Sequence, residues 1–125
     1  MKEIQYTTKG IMNYKIITDD NNILYLDKVS EDKMVRAKSE CFLILRNATI
    51  NTKCINILSK NFKKMLKIQR MQKIIDENNN KELICNIEMK NAEIIYMSLE
   101  NKVKEFETYK IIFKLSNSNN MTFYE

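Results

Sequence analysis

The chain has no His, no Trp and no Pro, and only one Gly. Each absence removes a class of chemistry. Without His there is no imidazole for acid–base work and no His-containing metal site. One Gly cannot build a glycine-rich loop whose amides cradle a phosphate. Without Pro there is no PxxP ligand, and no strand edge is blunted by a missing N–H. Cysteine is also sparse. Cys41, Cys54 and Cys85 form no Cys-x-x-Cys pair, and each sits in an apolar, strand-like run. They read as reduced, buried thiols of a cytoplasm-like compartment. No run approaches the roughly 20 apolar residues needed to span a bilayer. The first six residues lack the apolar core of a secretory leader, so a cytoplasmic protein with no membrane partner is expected.

What is present fits an ordered domain. The 125 residues are 44% apolar, a length and composition suited to one domain over residues 1–125 with a single core. The net charge is +5, from 21 Lys+Arg against 16 Asp+Glu, and only Arg36, Arg46 and Arg70 are arginines. The Ile-, Lys- and Asn-rich composition is what AT-rich codons produce, so part of the charge reads as codon drift. The same composition fits a phage or mobile-element accessory protein.

With Gly and Pro almost absent, Asn, Asp and Ser must mark the turns, because Asn tolerates positive φ and forms Asx turns. The candidate turns are residues 9–10, 19–22, 78–80, 90–91, 100–101 and 116–120. Runs 12–18 and 23–29 flank the second of these as a hairpin should, with a shorter piece over 3–7 pairing beside the first. Residues 30–40 are polar and ambiguous. Residues 41–45 form a continuous apolar run, and 49–58 alternate, with Asn47 marking a bulge or bend between them. Alternation returns at 83–90, 94–99, 104–115 and 121–124. Between these runs the sequence predicts one long amphipathic helix over residues 60–77, capped by Ser59 and ended by Asn78–Asn80. The expected fold is therefore α+β: a mainly antiparallel sheet or partly closed barrel carrying that helix.

The helix supplies the candidate site. At 100° per residue, Lys60, Lys63, Lys64, Lys67 and Arg70 share about one-third of its circumference, opposite Phe62, Met65, Leu66 and Gln69. The plain reading is a solvated outer face. The functional reading is a cationic row that meets phosphates and releases counterions. Few carboxylates lie at i+4 to pair the row, which favours a partner. The expected partner is nucleic acid, or a protein surface that normally handles it. Met71, beside the row, and Tyr124, near the end of the chain, are candidate interface residues. Tyr14, Tyr25, Tyr96, Tyr109 and Phe123 are further aromatics able to stack on bases, although alternating strands bury most aromatics.

Other chemistry is poorly supported. Asp19 and Asp20 make one adjacent pair, not a coordination shell. No Lys or Cys has an activating base at a readable spacing. No catalytic residue, cofactor or metal is expected, and no helix-turn-helix, zinc spacing or aromatic ribonucleoprotein signature occurs. The sequence thus points to a non-enzymatic binding module. Two alternatives stand beside it: an assembly subunit joined through strand edges, with possible self-association, and a barrel that binds a small molecule.

Overall fold

The computed structural model describes residues 2–37, 40–75, 78, 81–103, 106–115 and 121–123, with side chains described for 12–37, 40–71, 78, 87–102 and 107–115. In chain order the elements are β1 (Lys2–Ile17), β2 (Ile23–Ala37), β3 (Glu40–Ile50), α1 (Thr52–Lys60), β4 (Leu66–Ile75), β5 (Lys81–Val103), β6 (Phe106–Leu115) and β7 (Met121–Phe123). Two antiparallel meanders, β1–β2–β3 and β4–β5–β6, are joined through α1. They close on each other through antiparallel β1–β4 and β3–β6 pairs, which makes a six-stranded barrel. Strand β7 adds to the first half of β5. Closure satisfies backbone donors that an open sheet would leave at its edges.

The alternation of side chains decides what fills the barrel. Tyr14 and Ile16 of β1, Leu26 and Met34 of β2, Leu43 and Leu45 of β3, Ile68 of β4 and Phe113 of β6 are all fully buried and belong to one core. Their odd-or-even neighbours face outward, as period-two geometry requires. Free Cys41 is part of that core. Free Cys54 lies on α1, half-buried, rather than on a strand.

The α+β expectation is corrected: the fold is a β-barrel with one short helix, and no long amphipathic helix exists over 60–77. The helix lies earlier, where alternation predicted a strand. Asn51 is its N-cap and accepts the Cys54 N–H at 2.9 Å, whereas Ser59 sits in the last turn and donates to the Ile55 carbonyl. Cys54, Ile55, Ile57 and Leu58 form its apolar stripe and pack on the core. That pattern serves a helix as well as a strand in so short a run. Beyond it, Leu66 and Ile68 turn inward and Lys67 and Gln69 outward, which is strand geometry. Lys, Gln and Met are good helix formers, but pairing with β1 and β5 on both sides overrides that weak preference.

Long strands can close a small barrel only by bending. Strand β5 pairs with β4 over its first half and with β6 over its second, and the two ladders meet at Ala92. Asn91, at that corner, has φ 55°. Residues 90–91 and 100–101 are thus bends within one strand, not turns between two. Residues 3–7 likewise continue into β1, with a register shift around Gly10, and most of 30–40 belongs to β2. Among the described residues, Asn21, Asn47 and Asn91 supply three of the five non-glycine positions at positive φ, so Asn takes over the role of missing glycines there. Asn47 marks the bulge where β3 shifts register against β6. Arg46 beside it forms a two-pronged ion pair with Glu100 of β5, Nε–Oε1 2.9 Å and Nη2–Oε2 2.7 Å, and the Asn47 N–H adds a third bond to Oε1. The expected turn at 116–120 and most of that at 78–80 lie outside the described residues.

Inside the barrel, among the described residues, lies a charged cluster. The Asp32 carboxylate of β2 is fully buried; its Oδ2 accepts from Tyr14 Oη at 2.5 Å and from Arg70 Nε at 2.7 Å. Tyr14 and Arg70 face each other across the β1–β4 pair. The cluster therefore spans the short seam, Asn13–Ile17 against Lys67–Met71, that closes the ring.

Two outcomes test this account. Asp32→Ala takes from Arg70 its buried carboxylate and is expected to cost about 3–5 kcal/mol in urea denaturation, while Asp32→Leu combined with Arg70→Met recovers most of that loss. A larger loss in the double variant than in the single one would refute the assignment. The second outcome concerns acid. The Arg46 guanidinium holds the Glu100 carboxyl below its ordinary 4.5, chiefly by hydrogen bonding. Its stabilisation is complete above that value and is lost as pH falls through the lower folded value. Glu100→Gln should flatten the acid limb of a plot of Tm against pH, taken from about pH 6 to about pH 3.

Candidate functional site

The five cations read as one helical row have separate fates. Lys60 ends α1. Lys63 and Lys64 lie exposed in the loop that follows, with Lys63 at φ 67°. Lys67 points outward at the start of β4. Arg70 is not part of the surface: its side chain is 12% exposed, turned into the barrel and bonded to Asp32. The reason is arithmetic. On a helix, residues 67 and 70 share a face; on a strand, they point to opposite faces. Met71 is half-buried on β4 beside Asn13 of β1, and Tyr124 lies outside the described residues.

Of the four lysines that remain at the surface, Lys67 meets Lys90 and Lys64 nears Asp20, neighbours that the helical reading did not connect. The α1–β4 loop rises beside the β1–β2 turn and the corner of β5. Between them is an open groove of about 280 Å³. Ile17, Met65 and Leu66 give it an apolar floor, while Lys67, Lys90 and Asn91 stand at its margin. Two of its neighbouring bends, at Asn21 and Asn91, use positive φ, which lets the chain reverse tightly around the groove. Lys60, Lys63, Lys64 and Lys67 form no ion pair among the described residues, whereas Lys90 is 3.9 Å from Glu88. Asp19 also lines the groove, which therefore carries two lysines against one carboxylate.

Asp20, in the turn beside the groove, is engaged. The Thr18 hydroxyl donates to the Asp20 carboxylate, and the Asn22 N–H donates to Thr18 Oγ1 at 3.0 Å. Asp20 is held below its ordinary 3.8 first by the Thr18 hydrogen bond, with Lys64 adding a smaller attraction. This fixes the β1–β2 turn and explains Asp19–Asp20 as turn residues. Among the described residues no group of three or more His, Cys, Asp or Glu could hold a metal ion.

Continuing from the groove across the outside of the barrel, the strand registers define two rows. Ile23, Ile17 and Lys67 lie side by side on β2, β1 and β4. One step along the strands, Tyr25, Lys15 and Gln69 do the same. Tyr25 is 58% exposed, Ile23 48% and Met65 52%. Of the aromatics singled out in the sequence, Tyr14 is buried, while Tyr25 and Tyr96 are exposed. Tyr96 belongs to a different surface, on β5, where Lys110 lies 5.9 Å from its ring centroid. Phe123 is in β7, but its side chain is not among those described. The signal that could have located the rows was the alternation Leu66-Lys67-Ile68-Gln69, which places Lys67 outside beside the outward residues of a preceding strand.

No protein-family profile matches the chain, and neither curated proteins nor solved structures yield a match. No helix among the described residues is long and apolar enough to cross a membrane.

The Thr18–Asp20 contact has a direct check. In Thr18→Val the Asp20 carboxyl loses its main hydrogen bond, so its titration midpoint in carbon-13 NMR should rise toward 3.8. An unchanged midpoint would remove the hydroxyl as the cause.

Proposed function

We propose that this barrel is a non-enzymatic binding module that engages the phosphate backbone of nucleic acid through the lysines of the α1–β4 loop and the start of β4. The observation that carries the reading is the meeting of Lys67 and Lys90 at one open groove, with exposed Lys63 and Lys64 on the loop that leads into it and Lys64 near Asp20. Binding must order these flexible lysine side chains, and counterion release offsets that cost. Their attraction to phosphate grows as counterions are released.

The groove's size and openness support a polymer over a small molecule. Enclosed pockets for drug-sized ligands run to about 300–1,000 Å³ and bury most of the ligand. This one, at the low end of that range, is open to solvent, and the barrel interior is filled by Tyr14, Phe113 and aliphatic side chains. A polymer segment that continues past both ends suits such a shape. Lysine is a flexible point charge with no planar fork for base edges, so binding is expected to discriminate little between sequences.

A second reading keeps a specific support. Residues Lys2–Lys9 of β1 pair with β2 alone among the described residues, which leaves a strand edge able to receive another chain. Association through that edge would show as a concentration-dependent mass in sedimentation.

The nucleic-acid reading predicts binding to oligonucleotides that weakens steeply with salt. Lys63→Glu with Lys67→Glu should lower affinity at least about tenfold and reduce the slope of log K against log salt by about 2. Fluorescence anisotropy over a salt series measures both quantities. No binding at low salt, or binding untouched by the paired substitution, rejects the proposal.

A further inference from the structure

Resting on that reading, we infer that the polymer is single-stranded, and that its bases lie on Tyr25 and Ile23 while its phosphates follow Lys15, Lys67 and Lys90. The placement comes from the strand registers. Tyr25 on β2 stands directly beside Lys15 on β1, and Ile23 stands beside Ile17, which is in turn beside Lys67 on β4. Strands are about 4.8 Å apart and residues rise about 3.4 Å, so Tyr25 and Lys67 are roughly 12 Å from each other across this face. One short strip therefore offers a π-face, an aliphatic shelf and ammonium groups in sequence. A base has two apolar faces and a phosphate at its back, which matches that alternation.

Two features argue against a duplex on the same strip. In a duplex the base faces are stacked on one another and only phosphates and groove edges reach the protein. Tyr25 at 58% exposure, Ile23 at 48% and Met65 at 52% would then face a charged backbone and gain nothing from it. The strip is also narrow and bounded by carboxylates. Asp27 lies two residues beyond Tyr25, Asp19 and Asp20 occupy the adjoining turn, and Glu88 borders Gln69, from which it accepts a hydrogen bond at 2.8 Å. A second phosphate strand would be brought against these like charges, whereas one strand can pass between them. No arginine joins the strip. Arg70 is committed to Asp32, Arg46 to Glu100, and Arg36 lies at the far end of β2 opposite Glu3 and Cys41, so bases are held by their faces and not read at their edges.

The test compares three variants of the full chain on matched oligonucleotides, one single-stranded and one duplex. Tyr25 faces solvent, so its replacement leaves the core intact, and circular dichroism verifies this. Tyr25→Ala should weaken single-strand binding at least about fivefold with no change in salt slope, because stacking is lost and no charge is. Tyr25→Phe keeps the ring and should stay within about twofold of the parent. Lys15→Gln should weaken binding and lower the slope by about 1. Three results overturn the inference: tighter binding to duplex than to single strand; Tyr25→Ala binding as the parent does; or capture by vesicles rich in anionic phospholipid with no oligonucleotide binding at low salt. The second result, obtained while the Lys63 and Lys67 substitutions still abolish binding, leaves the backbone reading standing and removes the single-strand one. The third removes both.

Discussion

The barrel depends on one buried carboxylate. Asp32 stands inside β2 and draws Tyr14 from β1 and Arg70 from β4 to a single oxygen. The seam it spans is the shortest contact in the ring, five residue pairs between β1 and β4, and without it the two meanders would form one open sheet with free edges at β1 and β4. Burying an ion pair is seldom favourable on its own, because desolvation offsets most of the attraction. Its effect here is on register. Sliding β4 by one residue against β1 would send Arg70 outside and leave the carboxylate uncompensated, which penalises that pairing heavily. The other oxygen of Asp32 has no hydrogen-bond partner among the described residues, so the cluster fixes the seam without exhausting its polar capacity.

The same seam creates the surface on which the functional proposal rests. Every residue of β1 and β4 that turns inward forces its neighbour out, so the core residues Tyr14, Ile16 and Ile68 determine that Lys15, Ile17 and Lys67 face solvent together. The adjoining strand β2 adds Ile23 and Tyr25 by the same rule. The groove next to this strip exists because three connections converge at one end: the Thr18–Asn22 turn, the α1–β4 loop and the corner of β5. Each reverses with an Asn or Lys at positive φ, in a chain with almost no glycine. A second polar brace, Arg46 with Glu100, holds the bulge at Asn47 and ties β3 to β5 across β6. Polar clusters thus brace the closing seam and the bulge at Asn47, and apolar packing fills the rest.

Much of the strand content was legible in the sequence. The β1–β2 hairpin around residues 19–22 and the bulge at Asn47 both follow from alternation interrupted by Asx-type turn residues. The helix was displaced for a physical reason. Residues 52–60 carry apolar positions that suit either period, and residues 60–75 carry side chains with high helix propensity on a stretch whose pairing partners are far away in the chain. Tyr14, Lys15 and Ile16 meet β4 more than fifty residues later, so no local window contains the interaction that makes β4 a strand. The consequence for the site was specific. Lys60, Lys63, Lys64 and Lys67 stayed at the surface, while Arg70 moved from the cationic row to the interior.

The sequence by itself determined the inventory: a Lys-rich chain without His, with one core, Asn in place of Gly at its bends, and no local arrangement suited to metal or nucleophilic chemistry. The tertiary structure alone decided which charges are wet and which are buried, and which aromatic stands beside which lysine. Those facts depend on register between strands distant in sequence, and register is set by the summed burial of side chains over the whole barrel, a quantity that no single segment carries.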